Sequence, residues 1–542
     1  MTWSTMRINE TRNNQGGLTG RTVNGALWAF LGAASEVTLH WVIFIVLARL
    51  LGPQDFGVYT LGSVVIGFSR VFGEIGLGPS LVQRRELDAR YVKSAFSATL
   101  ALSILTSLAI IVLAPAIAAA LGTEELTAVI RVLSVLFLIR GIILVPRSLL
   151  QRELRFSKLA RSEVISYGLG YGVVGIALAF LGYGYWALVW ASIVEASLLC
   201  IQFLFLQPYP KKLRIYWTAL RELLSFGVGI SVGRVGNYLA MKGDYLIVGR
   251  FMGVAPLGIY SRAYELMAVP VGLFQQVVDR ALFPAVAIVQ GDHERLSRGY
   301  LRASSISALL LLPTGMVLFV LAPEIVLIVL GDKWTGAIAP LRIIALGMFF
   351  RSGYQVGAVI VKGVGDVHRL ASRQWLYAGL VLIGAWAGHF YGIVGVSVGV
   401  VLAIALQFVS ISHLAMRNAG VSAREFLQAH VPSMITSIII LILVWISASL
   451  TRGLDFHPAM TLFVSLSVCA ITLGVIIRVL PLSVGEHGVW VLEAISHHLP
   501  WKTPSSPLRN PQSMSHLPVP LKGKDVLASN AIQLSDDHFP QT

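Results

Sequence analysis

The sequence predicts an all-α integral membrane protein with 14 transmembrane helices, arranged as two parallel, pseudo-repeated six-helix lobes plus an extra helix pair. Three observations carry this expectation. Fourteen apolar stretches are each long enough to cross a bilayer, whose hydrocarbon core of about 30 Å takes about 20 helical residues. The turns between them are basic on one side only. An eleven-residue motif returns after 201 residues.

The spans fall near residues 24–50, 57–82, 95–118, 128–149, 163–182, 185–206, 225–250, 257–283, 303–325, 338–360, 373–391, 393–415, 430–450 and 459–480. Helices are expected because backbone polar groups in lipid must be paired within their own segment. A β-barrel would show ten-residue alternating runs, and the chain lacks them. Composition agrees, with 56% of the 542 residues hydrophobic and 13% charged, against about 25% charged in soluble domains. The net charge of +15 sits in short turns rather than on one polar domain. That distribution excludes nucleic acid as the partner and suits anionic headgroups of membrane lipids.

The basic turns hold twenty Lys/Arg. They are Arg84, Arg85, Arg90 and Lys93; Arg152, Arg155, Lys158 and Arg161; Lys211, Lys212, Arg214 and Arg221; Arg295, Arg298 and Arg302; Lys362, Arg369 and Arg373; and Arg417 and Arg424. The opposite turns hold only Arg250, Lys333 and Arg452. The Lys/Arg bias of short loops places the basic side in the cytoplasm, and an even number of crossings puts both termini there. Turns on the lean side are short, such as Gly182-Tyr183-Gly184 and Tyr391-Gly392, so none could fold as a domain. Residues 1–21 form a polar N-terminal segment without a cleavable signal pattern. The lobes are expected at 22–207 (spans 1–6) and 223–415 (spans 7–12), and the extra pair at 429–480. The tail 481–542 is proline-rich and mostly disordered in expectation, with one amphipathic helix at 488–499. Cys200 and Cys469 lie in apolar stretches and match no disulfide or metal spacing.

The repeat reads Arg49-Leu-Leu-Gly-Pro-Gln-Asp-Phe-Gly-Val-Tyr59 and Arg250-Phe-Met-Gly-Val-Ala-Pro-Leu-Gly-Ile-Tyr260. Each copy ends a span at glycine, turns on the lean side and starts the next span. The first joins spans 1 and 2, the second spans 7 and 8. Six spans separate them, so both copies run in the same direction, as in transporters built from parallel repeats.

These residues carry a resemblance. Ala48–Tyr59, Leu81-Val-Gln-Arg-Arg-Glu-Leu-Asp88, Leu257-Gly-Ile-Tyr-Ser-Arg-Ala-Tyr-Glu-Leu266 and Phe283-Pro-Ala-Val-Ala-Ile-Val-Gln290 make the chain similar to the multidrug/oligosaccharidyl-lipid/polysaccharide (MOP) exporter superfamily. Within it, the chain most resembles the polysaccharide transporters, the Wzx-type flippases of the colanic-acid exporter kind, over roughly residues 20–480. The resemblance implies flipping of an undecaprenyl-diphosphate-linked oligosaccharide across the bacterial inner membrane, alongside polysaccharide polymerase and export machinery.

A charge at mid-bilayer costs about 2.5–3.5 kcal/mol on insertion scales, so such residues face a cavity or a partner. Guanidinium suits a diphosphate because it binds in two-pronged fashion and stays protonated. Arg140, Arg234 and Arg351 have no helical partner within four residues and are the leading candidates for cavity cations. Arg70 (with Glu74 four residues on), Lys242 and Arg262 (with Glu265 three residues on) are further candidates, for which a local ion pair is the competing reading. Glu36 and His40 share a face of span 1. They suit either the coupling of H+ or Na+ or a structural hydrogen bond. No cofactor is expected. No phosphate-binding glycine loop with lysine is present, and no loop is large enough for a catalytic domain. The chain therefore reads as a transporter rather than an enzyme, with a cation-coupled multidrug exporter of the same superfamily as the second reading.

Overall fold

The computed structural model describes residues 37–74, 76–84, 87–209, 213–289 and 291–479, without the side chains of 70–74, 225–233, 280, 281, 284, 287 and 477–479. The expectations for residues 1–21, for Glu36 and for the tail 481–542 lie outside the described residues. Within them, fourteen long helical segments follow one another. They are α1 Val37–Leu50, α2 Pro53–Glu74, α3 Ala89–Leu121, α4 Leu126–Arg152, α5 Phe156–Phe180 and α6 Tyr185–Leu206. Then come α7 Trp217–Met252, α8 Val254–Val289 and α9 His293–Val320. The bent α10 runs from Asp332 to Gly363. The last four are α11 Val367–Gly388, α12 Gly392–Ala419, α13 Ala423–Gly453 and α14 Pro458–Val479.

Length and composition qualify eight helical stretches among the described residues as membrane spans, or nine if the halves of α10 are one. One of the eight, Val367–Ala419, is itself the two helices α11 and α12. Those two fold back on each other with their backbones in contact. A methyl group on Gly384 would lie 2.6 Å from the Gly399 carbonyl oxygen, the close approach that paired small residues permit. Helices α7 and α8 carry charges within their length, Arg234, Lys242 and Asp244 on the first and Arg262 and Glu265 on the second.

Several boundaries differ from the sequence expectation, each for a local reason. The span expected at 57–82 is two pieces, since α2 ends at Glu74 and a short helix, Leu77–Gln83, restarts after Gly76 at φ 63°. Helix α10 bends by 42° between Leu346 and Met348. Gly168–Gly175 widens α5 into a π-helix. Three helices extend beyond their apolar cores to defined starts at the basic end. Asp88 accepts from the backbone of Arg90 and Tyr91, Asp292 accepts from Arg295, and Ser422 forms a reciprocal capping box with Glu425. These side chains satisfy the free N–H groups of the first turn.

Helix α3 packs on α4, α4 on α6 and α5 on α6, while α7 packs on α11, α11 on α12 and α9 on α10. The extra pair is held by α13 along α9 and by α14 along α13. At the lean end Arg452 of α13 makes two 2.8 Å bonds to the buried Glu324 and a 2.9 Å bond to Val320 O. One of the three lean-side cations is thereby neutralised. Helix α7 straddles the two groups. Its basic-end residues Leu220 and Leu223 join a core with Leu77, Leu81, Val92 and Val145, and Glu222 pairs with Arg84 at 2.7 Å. The boundary expected at 223 therefore falls within a helix that packs on the first group.

The two copies of the repeat meet at the lean end, where α2 runs along α8. A methyl group on Gly57 would overlap the Val254 carbonyl oxygen, and one on Gly258 would overlap the Pro53 carbonyl oxygen and lie 3.1 Å from Gly57 N. Gly57 and Gly258, like Pro53 and Val254, are 201 residues apart. The contact is therefore reciprocal, as a pseudo-two-fold axis through the crossing requires. Around it, Trp334 Nε1 donates to Ala48 O at 2.8 Å, the Arg49 guanidinium donates to Leu327 O and Ile328 O, and Phe56 meets Trp334 edge-on. This end is closed. Ala48 is fully buried, so a cysteine there, in a chain lacking Cys200 and Cys469, is expected to resist a membrane-impermeant maleimide. Gly57→Ala or Gly258→Ala should speed its labelling severalfold; an unchanged rate would contradict the crossing.

Candidate functional site

A chamber of about 880 Å³ opens toward the basic end. Its deep residues are His40 of α1 and Arg140, Tyr167 and Glu195, which sit at the middle of α4, α5 and α6. Gln83, Gln151 and Phe203 lie at its mouth, near the basic turns. Helix α4 supplies a polar stripe of Arg140, Arg147 and Gln151, spaced at seven and four residues, which puts all three on one face. Helix α5 adds Glu163 and Tyr167 one turn apart. The Arg147 guanidinium bonds Glu163 at 2.8 Å, while Glu195 of α6 interacts electrostatically with Arg140, His40 and Glu163. The His40 ring stacks on Tyr167 with centroids 3.7 Å apart, and Tyr167 stacks on Tyr171, whose hydroxyl is 2.6 Å from that of Tyr59. The π-helical stretch of α5 lets Gly170 approach the α6 backbone, where an added methyl group would lie 2.8 Å from Ala191 O and from Glu195 Cβ. Arg234 enters from α7, because the basic-end half of that helix packs on the first group.

The sequence candidates divide. Arg140, Arg234 and His40 line the chamber. Arg351 does not line it. It is 4% exposed in an aromatic cage within the second group, bonded to the Tyr264 hydroxyl and 3.2 Å from Met241 Sδ, with Tyr354 and Tyr377 beside it. The buried Asp244 accepts from Tyr260 OH at 2.7 Å and from Tyr245 N at 3.0 Å. Lys242 Nζ lies 4.1 Å from the centre of the Tyr245 ring. Arg262 pairs with Glu265 at 2.6 Å and stands over Phe56 and Phe44 of the first group, so it bridges the two groups near the closed end. The Arg70 side chain and Glu36 lie outside the described residues. Sequence reasoning did not single out Arg147, Glu163 or Glu195 for the chamber. The signal for Arg147 was its seven-residue spacing from Arg140. For Glu163 it was the four-residue spacing to Tyr167.

With Arg140, Arg147 and Arg234 against Glu163 and Glu195, the chamber is cation-rich. Among the described residues no cluster of three or more metal-ligating His, Cys, Asp or Glu is present. A bundle of apolar helices, closed at one end by its crossing repeats and open at the other into a charged chamber, defines a membrane transporter. The chain belongs to the family described as polysaccharide biosynthesis protein, which matches residues 46–339. Among curated relatives, the succinoglycan biosynthesis transport protein ExoT of Rhizobium meliloti (strain 1021) is 27% identical over 339 residues, 62% of this chain and 68% of that one. The lipopolysaccharide biosynthesis protein WzxC of Escherichia coli (strain K12) is 25% identical over 397 residues, 70% of this chain and 78% of that one. Among solved structures, the lipid II flippase MurJ in an inward closed conformation aligns with TM-score 0.64 at 13% identity, covering 83% of this chain and 99% of that one. An inward-facing multidrug resistance MATE family transporter of the MOP superfamily aligns with TM-score 0.57 at 19% identity, covering 71% and 94%. Both show the same fold, and the chain is a transporter, not an enzyme.

The chamber and cage arginines should behave differently on substitution. Arg351→Gln removes a buried guanidinium bonded to the Tyr264 hydroxyl, and losing a hydrogen bond to a charged group costs about 1.5–3 kcal/mol; the melting temperature in detergent is expected to fall clearly. Arg140→Gln lines the chamber and should leave it near the wild-type value. The opposite order would contradict the placement of these residues.

Proposed function

We propose that this protein flips an anionic undecaprenyl-diphosphate-linked oligosaccharide from the inner to the outer leaflet of the bacterial inner membrane, by alternating access, for exopolysaccharide or lipopolysaccharide export. The observation that carries the proposal is the chamber lined by Arg140, Arg147 and Arg234. Taking a phosphate out of water costs several kcal/mol per charge, and pre-placed guanidiniums offset that cost. The names of the relatives, which refer to succinoglycan, lipopolysaccharide and lipid II, support the same class of cargo. The chamber volume lies within the usual range of small-ligand sites, about 300–1,000 Å³, so it suits the diphosphate and adjoining sugars while the prenyl chain stays in lipid.

In this reading the basic end is cytoplasmic, as are both termini, and the chamber loads from that side. The lobes 22–207 and 223–415 then rock about the crossing of α2 and α8, and 429–480 rides on the second lobe. A polymerase and export machinery on the far side would receive the product. The multidrug-exporter reading keeps the fold but not the charge, since three guanidiniums repel a cationic drug.

Reconstitution with a fluorescent undecaprenyl-diphosphate oligosaccharide tests this. Wild-type vesicles should expose the label to an external quencher. Each of Arg140→Gln, Arg147→Gln and Arg234→Gln removes a charge-assisted contact of about 1.5–3 kcal/mol, roughly 10- to 100-fold in affinity. Equal flipping by the triple variant would contradict the proposal.

A further inference from the structure

Two of the chamber's guanidiniums have anionic company within it. Arg147 bonds Glu163 directly at 2.8 Å, and Arg140 interacts with Glu195. Both carboxylates line the same chamber as the guanidiniums they face. Glu195 is half-buried on α6. Around it, α1 presents His40, α4 presents Arg140 and Arg147, α5 presents Glu163, Tyr167 and Tyr171, and α7 presents Arg234. A ligand phosphate that takes Arg147 in two-pronged fashion competes with the Glu163 carboxylate bonded to it, and one at Arg140 meets the charge of Glu195.

We infer that Glu163 and Glu195 are resident counter-anions that set the charge selectivity of the chamber, so that a lipid diphosphate displaces them and a lipid monophosphate does not. This rests on the flippase reading above. A diphosphate brings two phosphoryl groups, enough to engage Arg140 and Arg147 at once and replace both carboxylates. A monophosphate must take one guanidinium from its carboxylate while the other pair stays closed and repels it. The displaced carboxylate then faces the ligand's negative charge and takes up a proton, from water or through His40. Binding that takes up one proton weakens as pH rises, by up to tenfold per pH unit.

The experiment is equilibrium binding of two probes to the full-length protein in nanodiscs, undecaprenyl diphosphate and undecaprenyl monophosphate, over about pH 5.5–8, where histidine and perturbed carboxylates titrate. Wild type should prefer the diphosphate by at least about tenfold, roughly one charge-assisted contact, with affinity falling as pH rises. Glu195→Gln and Glu163→Gln should each tighten monophosphate binding several-fold, narrow the preference and flatten the pH dependence, whereas Glu195→Asp should restore both. Unaltered preference and pH slope in the Gln variants, with diphosphate binding intact, would overturn the inference. Because the Arg147–Glu163 pair is partly exposed, Glu163→Gln should fold even where Glu195→Gln does not. Loss of the Arg140 or Arg147 guanidinium without effect on diphosphate binding would instead overturn the reading of the chamber as a phosphate site, so the two failures are distinguishable.

Discussion

The reciprocal backbone contact at the lean end is the constraint from which the rest follows. Two helices approach so closely at Gly57 and Gly258 that neither position admits a methyl group. An interior at protein density transmits such a contact instead of absorbing it. With the lean ends of α2 and α8 pinned together, the indole of Trp334 reaches the Ala48 carbonyl and the Arg49 guanidinium reaches the turn of helix that precedes α10. The chamber lies toward the opposite, basic end. Because the contact is symmetric about the repeat, it acts as a pivot on the axis relating the two halves, the geometry alternating access needs.

The two halves have the same helical plan but use their charges differently. In the first, Arg140 and Arg147 project from one face of α4 into the chamber. In the second, Arg351 and Asp244 are buried among Tyr245, Tyr260, Tyr264, Tyr354 and Tyr377, where hydroxyls and ring faces take the place of water around them. A repeat therefore does not imply a shared site. The first half carries the chamber, and the second contributes Arg234 through α7.

Much of this was legible in the sequence. Long apolar runs and the absence of water in the bilayer leave helices as the default, so the all-helical character could be read directly. The 201-residue repeat located the helices that meet at the axis, although not the contact itself, which depends on two glycines coming into register across the molecule. Helix ends were less legible, because polar caps such as Asp88, Asp292 and Ser422 carry helices several residues beyond their apolar cores. Among the charges, a lone arginine on an apolar face marked Arg140, Arg234 and Arg351 alike, and the structure places the first two at the chamber and the third in the cage. Spacing along one helix cannot separate them, since the partners of Arg351 come from three other helices. Glu195 went unused for the same reason, its company being on α1, α4 and α5.

The pivot is the central claim, and distances across it test it most directly. Spin labels at Glu124 and Tyr391 report the lean end of the two groups, and labels at Lys158 and Val367 report the basic end; all four positions are exposed. Double electron–electron resonance in nanodiscs should show the lean-end pair lengthening and the basic-end pair shortening together when the lipid-linked oligosaccharide is added. Two distances that change in the same sense, or a basic end that closes while the lean end stays fixed, would contradict a pivot at the α2–α8 crossing.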